Sequence, residues 1–224
     1  MTSHAPPTHL VMFGRPGSGK STLAERLEAE FGYTLVRTGE LLRAAIRRQD
    51  FLGKRVEGHL STGNLVPDLL IFELLEQSLH APGSSKLLFD GFPRTMGQVP
   101  LLEGFEKKLG FRISCYLEVA VSRAKAVARM TGRRVCPACG ATYHLIGKPP
   151  KVAEICDLDG ARLEGRKDDA PEVVQVRQEI YDQETGSVAD YYRLHAADCF
   201  HRVNGEQPLS GVYAETLREL NLST

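Results

Sequence analysis

GRPGSGKS, residues Gly14–Ser21, satisfies G-x-x-x-x-G-K-[ST] at every fixed position. It follows an apolar run, HLVMF at 9–13, that reads as a strand. It precedes a run in which Leu23, Leu27 and Phe31 share one helical face. A merely glycine-rich turn can also open a helix. The full pattern between a strand and a helix points instead to a phosphate cradle. Glycines let backbone N–H groups turn inward around phosphate oxygens, and the helix N-terminus adds partial positive charge. Gly17, Ser18, Gly19 and Lys20 would surround the phosphates, with Lys20 reaching the β- and γ-phosphates. Ser21 is in register for the hydroxyl on the Mg²⁺ side. Such loops serve many nucleoside triphosphate enzymes, so the loop alone gives no reaction.

Outward from the loop, short apolar runs alternate with helical patterns. Further strands are expected at TLVR (34–37), KLLFD (86–90), RISCYLEV (112–119) and FHRVN (200–204). Helical faces are formed by Leu41, Leu42 and Ala45; by Leu70, Leu74 and Leu75 after Pro67; and by Val127 and Met130 after Ala120. A longer helical pattern starts at Pro171 and reaches toward Leu194, with Gly186 as a possible kink or break. This alternation predicts an α/β fold, a five-stranded parallel sheet flanked by helices. Ligands of such sheets sit beyond the carboxyl ends of the strands, where Gly14, Thr38 and Asp90 are expected.

The chain has 224 residues, 42% of them hydrophobic, with 28 basic and 28 acidic residues. That suffices for a core, and the zero net charge argues against general nucleic-acid or membrane affinity. MTSHAPPTHL lacks the basic and apolar regions of a signal peptide, and no apolar run approaches bilayer length. A reduced cytoplasmic chain is expected, with monomer as the default. Cys115 and Cys199 lie on strand-like or helix-end patterns and read as core residues.

Residues 132–165 break the α/β rhythm. Cys136 and Cys139 are two residues apart, and Cys156 and Asp159 repeat that offset. Thiolates suit Zn²⁺, and Asp159 supplies an oxygen ligand. Four protein ligands close a tetrahedron, which makes a structural site. A C-x-x-C redox pair, vestigial cysteines, and His144 in place of Asp159 are the other readings. A zinc-ribbon nucleic-acid binder would need a basic face with interleaved aromatics. Between 136 and 165, Lys148, Lys151 and Arg162 face Glu154, Asp157, Asp159 and Glu164, and Tyr143 is the one Phe, Tyr or Trp residue.

RTGELLRAA (37–45), FDGFPRT (89–95), GKST, GRR and GRKDD together resemble the adenylate kinase family, over about Leu10–Pro208, and in particular its long-lid zinc-type bacterial members. The resemblance implies transfer of the ATP γ-phosphoryl to AMP, giving two ADP, with Mg²⁺. Such a reaction needs fixed cations and exclusion of water rather than a general base. It also implies a core of 1–36, 67–131 and 170–224, an AMP-binding domain of 37–66, and a lid of 132–169.

Lys20, Arg94, Arg133, Arg166 and Arg177 would then be catalytic, with Arg133 and Arg166 descending on the lid. Besides the loop, ATP would meet Arg129, Arg133, Thr142, Tyr143 and Gln207. AMP would meet Thr38, Arg43, Asn64, Leu65, Val66, Gly91, Phe92, Pro93, Arg94, Gln98, Arg166 and Arg177. Asp90 and Ser21 would serve the Mg²⁺ shell. Thr38 leans toward AMP, because relatives acting on UMP or CMP carry a smaller residue there. Two positions depart from the family pattern. Ser21 stands where the family usually has Gly, with Thr22 as the family's hydroxyl, so Ser21 and Thr22 both meet ATP and either could serve the metal shell. Arg15 stands where the family usually has a small residue. Arg15 is expected to point to solvent, with phosphate contact as its alternative.

Overall fold

A computed structural model describes residues 6–49, 51–79 and 86–223. Residues 1–5, 80–85 and 224 of the expected core span, and Asp50 of the 37–66 span, lie outside the described residues.

Strands β1 (Leu10–Phe13), β2 (Tyr33–Arg37), β3 (Lys86–Asp90), β4 (Cys115–Ala120) and β7 (Phe200–Asn204) form one parallel sheet in the order β2-β3-β1-β4-β7. All five fall on runs expected to be strands. The chain fills one side of β1 and then the other, so the order reverses beside β1. That is where a parallel sheet opens a ligand crevice.

Both faces of the sheet are covered. Leu10 and Met12 point into one apolar cluster with Leu88, Leu117 and Val203. Val11 and Phe13 point into a larger one with Val36, Phe89 and Tyr116. A period of two with both parities buried gives the unbroken apolar run of residues 10–13. The helices are α1 (Lys20–Phe31), α2 (Thr38–Arg48), α3 (Phe51–Thr62), α4 (Asp68–Ser78), α5 (Val99–Leu109), α6 (Arg123–Thr131), α7 (Pro171–Ile180), α8 (Gly186–His195) and α9 (Leu209–Glu219).

Two expectations need correction. Gly186 neither kinks nor breaks the long helix; its φ and ψ are −59° and −43°. The irregularity precedes it, as a wide π-helical turn over Tyr181–Thr185 that joins α7 to α8. Cys115 is buried, but Cys199, in a 3-10 turn just before β7, is only half-buried.

Residues 132–165 carry a separate two-stranded antiparallel ribbon, β5 (Arg133–Val135) with β6 (Thr142–His144). Its own core is small: Cys136, Tyr143, Cys156 and Leu163, with Ala141 and Ala161 against them.

Candidate active site

The loop after β1 is shaped by positions that suit only glycine. Gly17 has φ of +89°, and a Cβ there would lie 2.4 Å from the Ala126 carbonyl oxygen. The loop therefore closes against α6 and leaves its amides for a ligand. Gly19 precedes α1 in a left-handed conformation, no side chain caps that helix, and its first turn holds no acidic residue. Its first N–H groups are thus free to meet an anion.

Lys20, Arg43, Arg94 and Arg177 line a single cleft with Asn64, Leu65, Gly91, Pro93 and Asp168. Four segments distant in sequence bring these cations together. Lys20 opens α1, Arg43 lies in α2, Arg94 follows β3, and Arg177 lies in α7. Burial pushes the Lys20 ammonium down to about 8; Asp90 opposes that shift, and Arg94, Arg177 and Arg133 add to it. Burial likewise lowers the Arg43 and Arg94 guanidinia. It brings Arg166 and Arg177 to about 10, with neighbouring arginines adding. Cations crowded and desolvated in this way favour a bound polyanion.

Asp90 ends β3, is buried, and accepts a hydrogen bond from the Ser21 hydroxyl at 2.5 Å. Arg94 donates to the Gly91 carbonyl at 2.8 Å, and its own amide is received by Gln98. The Gln98 amide nitrogen donates to Asp68 at 2.7 Å. Thr38, 2% exposed, begins α2, and its hydroxyl has no hydrogen-bond partner among the described residues. An unpaired buried hydroxyl costs free energy, so it fits a site that a polar ligand completes. Val66 and Phe92 are packed in the larger apolar cluster.

The expected ATP contacts divide by side chain and main chain. Arg129 donates to the carbonyls of Ser18 and Gly205, at 3.1 and 2.8 Å. Its side chain joins the phosphate loop to the turn after β7. The Tyr143 ring lies inside the small core of residues 132–165, where its hydroxyl oxygen receives the Asp157 amide at 2.8 Å. The ring and hydroxyl of Tyr143 are thus taken up by that core. The Gln207 amide is engaged by Glu215. Arg166 donates to the Thr142 hydroxyl at 3.4 Å.

The sequence reading assigned no role to Asp168 and Asp169. Arg133 forms a two-pronged pair with Asp169 at 2.6 and 2.5 Å, and Arg177 donates to Asp168 and Asp169 at 3.1 and 3.3 Å. The signal was two adjacent acids, GRKDD, one residue after an arginine of the set. Arg15 also differs from expectation. It does not point to solvent but pairs with Asp182 at 2.5 Å and lies over the Tyr181 ring.

The four expected metal ligands do converge. One ligand atom from each of Cys136, Cys139, Cys156 and Asp159 lies within 4.8 Å of the others. The Cys139 and Cys156 sulfurs are 3.6 Å apart, and the Cys136 sulfur is 3.2 Å from an Asp159 oxygen. Ligands at about 2.3 Å (sulfur) and about 2.0–2.2 Å (oxygen) from one tetrahedral ion would have comparable separations. The fit rests on two equivalent turns. Gly140 donates to the Cys136 carbonyl and Gly160 to the Cys156 carbonyl, both at 3.0 Å. Sequence held this signal too, as C-x-x-C-G-A and C-x-x-D-G-A. The Ala161 amide, first, and then the thiols hold the Asp159 carboxyl well below the usual carboxylate range. His144 is outside the cluster; its Nδ1 accepts from the amides of Ile146 and Gly147.

Comparison with known proteins accords with this geometry. The chain is 37% identical over 206 residues to an adenylate kinase of Carboxydothermus hydrogenoformans, covering 92% of this chain and 95% of that one. It is 38% identical over 208 residues to one of Brevibacillus brevis, covering 92% and 96%. It is 38% identical over 205 residues to one of Thermococcus kodakarensis, covering 92% and 90%. The adenylate kinase family model matches residues 12–197, which include the phosphate loop, the cationic cleft and the cysteine cluster. With that match and relatives aligned along nearly their whole length, the chain belongs to the adenylate kinase family.

Proposed function

We propose that this chain catalyses reversible transfer of the ATP γ-phosphoryl to AMP, giving two ADP. The observation that carries the reading is the convergence of Lys20, Arg43, Arg94 and Arg177 on one cleft beyond the strand ends. A phosphoryl acceptor that is already anionic needs no base; it needs its repulsion from the donor cancelled. Lys20 and the amides of Gly17–Ser21 hold the donor phosphates. Arg43, Arg94 and Arg177 hold the acceptor and the group in transit, because a guanidinium can grip two phosphate oxygens at once. Arg133 and Arg166, carried on 132–169, close over them and exclude water.

The acceptor base lies against Thr38 and residues 64–66, and Gln98 exchanges Asp68 for it. Mg²⁺, bound with ATP, neutralises charge on the β- and γ-phosphates. Asp90 and Ser21 orient its shell. Structural Zn²⁺ on Cys136, Cys139, Cys156 and Asp159 fixes the segment that bears Arg133 and Arg166. The enzyme works as a cytoplasmic monomer, and no described helix is long and apolar enough to cross a membrane.

A coupled assay with AMP, UMP and CMP as acceptors and ATP or GTP as donor tests the reading, with metal analysis on the same sample. ATP with AMP is expected to be the fastest pair and zinc stoichiometric. UMP outpacing AMP by a large factor would overturn the role given to Thr38.

The two adjacent hydroxyls can be separated by titrating Mg²⁺. Ser21→Ala is expected to raise the Mg²⁺ concentration for half-maximal rate by about tenfold, the usual scale for losing a group behind a metal shell. Thr22→Ala is expected to leave it near the parent value. The reverse pattern assigns the shell to Thr22.

A further inference from the structure

The helix that carries Arg177 also holds the phosphate loop on one side and the Arg94 loop on the other. Gln178, fully buried, donates to the Pro16 carbonyl at 2.9 Å. One turn on, the Arg15 guanidinium carbon sits 4.7 Å from the centre of the Tyr181 ring, and Arg15 Nη2 is 2.5 Å from an Asp182 oxygen. Residues 178, 181 and 182 have the i, i+3, i+4 spacing of a single face. So two successive loop residues, 15 and 16, are fixed by three successive contacts from one helix. At the far end of the π-helical turn, the Thr185 hydroxyl donates to the Arg94 carbonyl at 3.0 Å. A π-helical turn widens the helix locally, and such turns gather at functional sites.

Building on the phosphoryl-transfer reading above, we propose that residues 178–185 act as a spacer that sets the distance between donor and acceptor phosphates. Arg15 and Asp182 are positioning residues of that spacer. Reactive groups held a fraction of an ångström from their productive separation lose rate steeply. Magnitude separates this role from a structural one. The Arg15 and Asp182 side chains are 22% and 36% exposed, and ion pairs of that kind add little to stability. If the pair contributes, the contribution lies in geometry. Arg15 Nη2 is committed to Asp182 and its plane to Tyr181, while Nη1 is buried with no hydrogen-bond partner among the described residues, so binding of an ATP analogue must be measured beside the rate. Asp182 also receives Arg123, at 3.3 Å, from the start of α6. That contact does not involve the loop.

The test uses the full-length chain with ATP and AMP in steady state and single turnover, plus direct binding of a non-transferable ATP analogue and a melting curve. Arg15→Ala and Asp182→Asn are each expected to slow the single-turnover step about tenfold. Analogue affinity should stay within about twofold, and the melting temperature within about 4 °C. The double variant should be no slower than the slower single one, as expected for two ends of one contact. Arg15→Lys, which can keep the ion pair, should recover part of the rate, and Arg123→Ala should be near parental. Three results overturn the proposal: parental single-turnover rates in both variants, rate losses that add in the double variant, or analogue binding weakened tenfold, which would place Arg15 on the phosphates. Failure of the parent chain to make ADP from ATP and AMP would instead sink the reaction assignment itself.

Discussion

Replacing Lys20 with methionine is expected to lower kcat by about 10³-fold, on the scale of removing a fixed charge donor from a developing anion. That is about 4 kcal/mol of transition-state stabilisation. Methionine roughly matches the length of the stem, so the loop, held by Gly17 and Arg129, should keep its shape. The melting temperature should change little, because the variant removes a desolvated ammonium from among three arginines and also the cation that attracts buried Asp90, two effects of opposite sign. A near-normal rate would remove the assignment of the phosphate loop.

The proton on Lys20 gives a second readout. Its folded pKa lies near 8 and its ordinary value at 10.5. In the nucleotide-free enzyme, kcat/KM for ATP should therefore fall as pH rises past about 8. The stability term has the opposite sign. Between 8 and 10.5 the unfolded chain holds the proton that the folded chain has released, so this group's contribution to stability rises with pH. Lys20→Met should abolish both trends.

The second large effect concerns heat rather than rate. The double variant Cys136→Ser, Cys139→Ser is expected to melt about 10 °C lower, from a loss of about 3 kcal/mol at about 2–4 °C per kcal/mol in a chain of this size. Metal binding at such sites is coupled to folding, and apart from the ligands Cys136 and Cys156 the segment's small core has only Tyr143 and Leu163 as buried side chains. Turnover at moderate temperature should change far less. If turnover collapsed while the melting curve stayed in place, the ion would belong to the chemistry.

How far the sequence could be read depended on what each residue had to satisfy. The inner strands β1 and β3 were legible because burial on both faces leaves a nearly unbroken apolar run, whereas the edge strands β2 and β7 carry exposed polar residues such as Thr34 and Arg202 and stood out by length and by their place between helical patterns. Helices α3, α5 and α9 were not identified. Gly53 and Gly58, Pro100 and Gly104, and Gly211 blur their patterns. Gly53 is there for close packing: a Cβ would lie 2.1 Å from the Ala45 carbonyl oxygen, where α3 crosses α2. The site was legible as far as motif spacing reached, since the loop, DGFPRT and the paired ligand offsets are local. Arg15 turned on a partner 167 positions away, Asp182, and no local pattern encodes that. The π-helical turn was hidden for the same reason. Its residues are ordinary helix formers, and the widening is set by what lies against it.

Asp168 and Asp169 bear on how the cleft behaves before substrate arrives. Two like charges about 4 Å apart repel by about 4 kcal/mol at the effective dielectric of a protein surface. Arg133 and Arg177 are relieved of such repulsion, because Asp169 pairs with both and Asp168 adds a second carboxylate on Arg177. On the proposed reading, nucleotide binding is an exchange of counter-ions: phosphate oxygens replace carboxylate oxygens on guanidinia that are already aimed. The protein carries a stand-in for its substrate's charge, and the resting enzyme does not have to store the repulsion that its reaction requires.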